Sequence, residues 1–421
     1  MKPLLIENGH LLDPANNLDE VRDLLLADGR IAAGPAPADA EVFDARGKYV
    51  VPGLIDMHVH LREPGRADKE SIATGTLCAA RGGFTSVVCM PNTSPVADNP
   101  GTIAYIKQRA AEVGCVNVFP TGAITRELKG EELAPIGSLQ RAGVVAITDD
   151  GHCVQNNDLM RRAVEYAKMF DLPVMDHCQD YNLSADGVMN EGYWSVVLGL
   201  RGWPAIAEDI IVARNILIAE VTGGHVHCLH LSSARSVALV REAKKRGVHL
   251  TAEACPHHFT LTDEACKTYD ANFKMSPPLR TDRDRAALLE GLADGTIDCI
   301  ASDHAPHCNY EKEVEFDIAP FGIIGLETEL ALSLALVHNK VLSLRQLIEK
   351  FTLNPARLLR LNKGTLSVGA DADVTVIDLE REWTYDVTQS ASKSRNSPFH
   401  GWKLKGKAVA TIVGGKMVWK E

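Results

Sequence analysis

The sequence has no apolar run approaching the ~18 to 20 residues that a membrane span requires, and Met1-Lys2-Pro3 leads into a short strand-like run instead of a secretory leader. A non-membrane, cytoplasmic protein is therefore the default expectation. No C-x-x-C pair or regular framework organises the ten cysteines, so in a chain this long they read as reduced, mostly buried thiols. Basic residues are outnumbered, 44 to 55, and form no large cluster; a net charge of −11 disfavours nucleic acid and anionic membrane surfaces as partners. Neither G-x-G-x-x-G nor G-x-x-x-x-G-K-[ST] occurs, which removes the usual support for a doubly wound nucleotide-binding sheet.

What is present is core material. The chain has 421 residues, of which 45% are apolar and 24% charged. At a soft ~150 residues per domain, that fits two or three domains, or one large α/β barrel with an appendage. Short apolar runs lie near 53–59, 84–90, 116–122, 143–148, 172–177, 225–230, 248–254 and 297–302, and amphipathic stretches of helical length alternate with them. Examples are Ser71–Arg81, Thr102–Val113, Asn157–Phe170, Ile206–Thr222, Ser233–Arg246, Thr281–Leu292 and Glu327–Leu336. Eight such units predict parallel strands closed into a (β/α)8 TIM-type barrel over 53–361.

The chain ends differ from this pattern. Residues 1–52 carry short runs broken by Asn8-Gly9 and Asp28-Gly29, which is hairpin chemistry, and residues 362–421 again read as strands and turns. The economical expectation is one small, discontinuous β domain made from 1–52 and 362–421.

Reactive side chains gather just after the apolar runs, at the barrel end where active sites are built. His58 and His60 are two apart on a strand, so their imidazoles share a side, a spacing that suits two ligands on one metal. His177 and His230 end the fifth and sixth runs, Asp303 follows the eighth, and Asp149-Asp150 comes at the end of the fourth. Imidazole and carboxylate donors suit zinc or another borderline divalent metal, with room for a di-metal site. His225 and His227 fall on the opposite strand face from His230 and read as supporting or structural. His257 and His258 fit either reading. The metal constellation argues against Cys153 or Cys308 as a nucleophile.

Gly53-Leu54-Ile55-Asp56-Met57-His58-Val59-His60-Leu61-Arg62 resembles the metal-binding opening of the amidohydrolase superfamily. Gly82–Thr93, Thr148–Gly151, Met175–Cys178, Ser302–His307 and Lys393–Pro398 are similar to the class I dihydroorotases, and the resemblance runs through nearly the whole chain. It implies reversible, metal-dependent cyclisation of N-carbamoyl-L-aspartate to L-dihydroorotate in pyrimidine biosynthesis, with one or two Zn2+ per chain. His58 and His60 would hold one metal and His177 and His230 the other. Asp150 would be shared, with Asp149 open as its alternative, and Asp303 would be both ligand and acid/base. Hydantoinases and shorter dihydroorotases use a carboxylated lysine as the bridge, and the fourth strand here offers none. Arg62, Asn92 and His307 match the positions that bind the substrate carboxylate, and the Phe321-Gly322 backbone matches a segment facing the ring. Ser276 stands where asparagine is expected in many members. The alternatives are another cyclic-amide hydrolase (a hydantoinase, dihydropyrimidinase or allantoinase) and a silent scaffold for aspartate transcarbamoylase. The resemblance leaves a homodimer, and a complex with that transcarbamoylase, open.

Overall fold

The computed structural model describes residues 2–421. Eight short strands form the barrel: β1 (Leu54–Val59), β2 (Phe84–Cys89), β3 (Asn117–Pro120), β4 (Ile147–Thr148), β5 (Val174–Asp176), β6 (Val226–Cys228), β7 (Leu250–Ala254) and β8 (Cys299–Ile300). Neighbouring pairs are parallel, with Asp56 opposite Val87, Thr148 opposite Met175 and Glu253 opposite Cys299. Single bridges close the ring, Gly122 with Ile147 between β3 and β4 and Val59 with His304 between β1 and the segment after β8. Each of the eight apolar runs predicted from sequence holds one strand.

The helices start and stop where local chemistry dictates. Ile72–Gly82 begins at Ser71, whose hydroxyl accepts from the Thr74 N–H in a capping box, and ends at Gly83, whose φ of 96° suits only glycine. Ile206–Thr222 takes its predicted bounds. Helices and strands share one buried layer, including Leu54, Phe84, Val87, Ile147, Val174 and Ile300. A second cluster around Met57, Val88, Met175 and Cys299 fills the barrel, so the interior is packed and the open chemistry is confined to its mouth.

The two chain ends meet in one six-stranded sheet, ordered Lys416–Lys420, Lys403–Val413, Val374–Thr384, Tyr49–Pro52, His10–Asp13, Leu18–Val21. A four-stranded sheet from residues 4–44 packs on it through Ile6, Leu26, Val50, Val374 and Ala410. Two features differ from the sequence expectation. Asp28-Gly29 does turn a hairpin, with φ of 50° and 74° matching the strand twist. Asn8-Gly9 instead passes the chain from one sheet to the other, and a Cβ at Gly9 would lie 2.4 Å from Val50 Cγ2, so close packing of the sheets needs glycine there. The second difference is that residues 385–400 leave the sheet. They run to the barrel mouth, where the Ser394 hydroxyl donates to the Lys69 carbonyl at 2.8 Å.

Among the described residues, no helix is long and apolar enough to cross a membrane. All ten cysteines are free thiols.

Candidate active site

The six side chains singled out as metal ligands lie at or just past the C-terminal ends of five strands, and the other five surround Asp150. Its Oδ2 lies 3.2 Å from His58 Nε2 and 3.4 Å from His60 Nε2, while its Oδ1 lies 3.4 Å from His177 Nδ1 and 3.5 Å from His230 Nε2. Asp303 Oδ1 sits 3.1 Å from His60 Nε2 and 3.5 Å from His58 Nε2. The carboxylate of Asp150 thus divides the histidines into two pairs. Two of these residues have left-handed backbone, His230 at φ 29° and Asp303 at 46°, as does Arg62 beside them at 58°. Non-glycine residues hold that conformation at a cost, and such strain concentrates at functional sites.

The donor set fits a divalent cation. His58 Nε2 and Asp150 Oδ1 are buried without a hydrogen-bond partner, a state that is unfavourable unless something else satisfies them. His58, His60 and Asp303 offer three donor atoms within 4.8 Å of one another, and so do His58, Asp150 and His230. His177 Nδ1 and His230 Nε2 face each other at 2.9 Å. Electrostatics agree: burial disfavours charge on Asp150, yet the His58 charge and the other imidazoles around it hold its carboxyl well below the usual range. Asp303 is likewise held low against burial, chiefly by His58 and His60. Burial opposes charge on His58 as well, but Asp150, Asp303 and Glu253 raise its imidazole well above normal.

Asp149 points elsewhere. Its carboxylate accepts the Ile124 N–H at 2.8 Å, the Thr125 N–H at 3.0 Å and the Thr125 hydroxyl, tying β4 to the loop after β3. Burial lifts it to about 6 against those bonds.

Further side chains fix the ligand tautomers. His58 Nδ1 donates to Glu253 Oε1 at 2.7 Å, and Glu253 Oε2 takes His227 Nε2 at 3.1 Å. His60 Nδ1 donates to Asn92 Oδ1 at 2.9 Å, and His177 Nε2 to Gln179 Oε1 at 3.0 Å. His227 is thus a supporting residue, whereas His225 stacks on His249 with ring centroids 4.3 Å apart, away from the mouth. Sequence reasoning missed Glu253 and Gln179. An acid within the apolar seventh run was a signal for Glu253; nothing local marked Gln179.

A cavity of about 280 Å³ opens above the cluster, and His60, Asp150, His177, His230 and Asp303 all line it. Arg62, Asn92, Ser276, His307, Phe321 and Gly322 share that lining, so the structure brings the expected substrate-binding residues together. Trp203, which sequence reasoning did not single out, joins them and packs edge-on against Phe321 at 5.8 Å. His307 has no free ring nitrogen: Nε2 donates to the Phe321 carbonyl at 2.8 Å and Nδ1 accepts from Lys69 Nζ at 3.2 Å. Burial, with Arg62 and Lys69 nearby, drives it down to about 2, so it stands neutral and Arg62 is the cation facing the cavity. The Ser276 hydroxyl lies 3.4 Å from His177 Nε2, at the weak limit of a hydrogen bond. His257 and His258 are buried outside the cavity lining, with His258 Nε2 donating to the Pro277 carbonyl at 2.8 Å. Cys153 and Cys308 also stand outside it.

The family model described as "Dihydro-orotase-like" matches residues 47–236, and that of the amidohydrolase family matches 213–418. Among curated relatives, the dihydroorotase of Pelotomaculum thermopropionicum is 58% identical and that of Geotalea daltonii 54%, each alignment covering 99% of both chains. Among solved structures, the L-hydantoinase (dihydropyrimidinase) from Arthrobacter aurescens matches with a TM-score of 0.89 at 26% identity, over 100% of this chain and 96% of that one.

Proposed function

Because the chain belongs to the dihydroorotase family of the amidohydrolase superfamily, we propose that its barrel mouth is where L-dihydroorotate and N-carbamoyl-L-aspartate are interconverted. The cofactor we assign is zinc, for which nitrogen and oxygen donors in this number are suited. His58, His60 and Asp303 would hold one ion and His177 and His230 a second, with Asp150 shared. The observation that carries this reading is the split of Asp150, one oxygen toward each histidine pair. When bound, such an ion supplies Lewis acidity, lowering the pKa of water from 15.7 toward ~7 and polarising a carbonyl.

The chain's own residues do the rest. In the hydrolytic direction Asp303, held as a carboxylate, takes a proton from the attacking water and returns it to the departing ring nitrogen. Arg62 holds the substrate carboxylate, its guanidinium able to make two parallel hydrogen bonds. The Asn92 oxygen is engaged by His60, which leaves its amide N–H groups for the ligand. Trp203 and Phe321 present apolar surface to the ring and exclude water from the reacting amide. Microscopic reversibility assigns ring closure to the same groups. We divide the chain as 1–52 with 362–421 and 53–361, the barrel carrying the chemistry in a cytoplasmic enzyme.

A hydantoinase reading has the fold on its side, but the fourth strand lacks the bridging lysine expected of that group and Arg62 places a cation in the cavity. The test is turnover of dihydroorotate, hydantoin and dihydrouracil by purified protein, with metal quantified per chain. Turnover of dihydroorotate alone is expected, abolished by a chelator and restored by zinc. Full activity in verified metal-free protein would overturn the assignment. Sedimentation, alone and with aspartate transcarbamoylase, tests the homodimer and the complex.

A further inference from the structure

Lys312 is only 7% exposed, and among the described residues its side chain bonds to no carboxylate. Its ammonium instead donates to three backbone carbonyls, those of Pro320 at 2.9 Å, Gly322 at 3.0 Å and Lys274 at 3.4 Å. Burial, with the Lys274 charge nearby, pulls Lys312 down to about 7, so its charged form is unfavourable here, and a methionine would fill this space without that penalty. Packing alone therefore does not account for a lysine. The three convergent carbonyls do, because only –NH3+ offers three donors from one point.

The same wall is gripped from the other side by Asn396, on the segment that returns from the β domain. Its Nδ2 donates to the Gly322 carbonyl at 3.0 Å and the Ala305 carbonyl at 2.9 Å, and its Oδ1 accepts the His307 N–H at 3.1 Å. Lys312 and Asn396 together fill both lone pairs of the Gly322 oxygen, while the Gly322 N–H goes to the Lys274 carbonyl at 2.9 Å. Only glycine fits at 322: its φ is 116°, and a Cβ there would lie 2.6 Å from the Ala305 methyl. The Phe321 ring is held in turn, with Lys274 Nζ 4.6 Å from its centroid.

We propose that Lys312 is a positioning residue which, with Asn396, fixes the Phe321–Gly322 wall against the substrate ring and so governs ring binding without taking part in the proton transfer. The role rests on the reading that this cavity takes dihydroorotate.

The test compares Lys312→Met and Lys312→Ala with the parent enzyme. Losing three bonds should raise KM for dihydroorotate about tenfold or more and leave kcat within about threefold, with metal content unchanged. Propylammonium added to Lys312→Ala should lower KM back toward the parent value, which a merely space-filling role would not produce. A glutamate-specific protease should cleave after Glu313 and Glu315 faster in Lys312→Met than in the parent, a readout that needs no substrate. If the parent fails to turn over dihydroorotate, the substrate reading fails while the cleavage rates still judge the clamp. If Lys312→Met does not fold, Asn396→Ala loosens the same carbonyl and should move KM and cleavage in the same direction. An unchanged KM or unchanged cleavage in a folded variant would overturn the proposal, as would a fall in kcat alone.

Discussion

His58 gives its Nδ1 proton to Glu253 at 2.7 Å, and that single bond decides that Nε2 is the nitrogen aimed at Asp150. Glu253 is fully buried, and although burial opposes its charge, His58 and His227 hold it as a carboxylate, at about 2. Removing that charge should weaken the metal site without touching a ligand. Glu253→Gln is expected to lower metal affinity roughly 10 to 100-fold, the usual effect of losing an outer partner of a ligating histidine. Titration of metal-free protein against a competing chelator measures this; equal affinity in the two proteins would sink the orienting role.

Asp303→Asn should keep the fold and lose catalysis, because an amide cannot carry the proton. The expected loss in kcat is about 10² to 10⁴-fold, the range for general acid/base groups. Metal content is measured alongside, since Asp303 is also assigned as a ligand. Near parental kcat would move the proton transfer to another group.

Arg62 should make the enzyme demand a carboxylate on the ring. Dihydrouracil offers the same scissile amide without that group, leaving the guanidinium in the cavity unpaired. Charged hydrogen bonds contribute ~1.5 to 3 kcal/mol each, so kcat/KM should favour dihydroorotate by about 10³-fold. Arg62→Met should narrow the gap mainly by impairing dihydroorotate. His307 stands neutral, so protonation of its ring should leave no step in KM between pH 6 and 8. Comparable kcat/KM for the two substrates in the parent enzyme would refute the clamp.

Glu329 lies fully buried with both carboxyl oxygens unpartnered, and burial, reinforced by Asp56, raises its pKa well above normal. A carboxyl whose folded value exceeds its unfolded value contributes fully below the unfolded value, near 4.5, and that stability is lost as pH rises toward the folded value. Glu329→Gln removes the linkage. The variant should therefore gain on the parent as pH rises from 5 to 8, by at most about 1.4 kcal/mol per pH unit. Denaturant unfolding at the two pH values reads the difference; a gap that stays constant or shrinks with pH would show that Glu329 does not titrate as its burial demands.

The sequence by itself determined the barrel, because eight apolar runs alternating with amphipathic helices leave parallel strands few other ways to be covered. It also determined most of the candidate ligand set: a side chain at or just past the C-terminal end of a barrel strand has one place to go, and His58 lies one residue before such an end while His60, His177, His230 and Asp303 lie just beyond theirs. Adjacent positions were beyond its reach. Asp149 and Asp150 are the same residue type one step apart, and only the N–H groups of Ile124 and Thr125, brought over from the neighbouring loop, turn Asp149 away and leave Asp150 facing the histidines. Asn8-Gly9 carried a hairpin signal, yet the tight stacking of two sheets gave it a different task. The contacts of Asn396 with Ala305 and Gly322, across 91 and 74 residues of chain, have no local signature at all. Periodicity records which face of an element is buried; which distant backbone a polar side chain meets depends on how the finished elements are stacked.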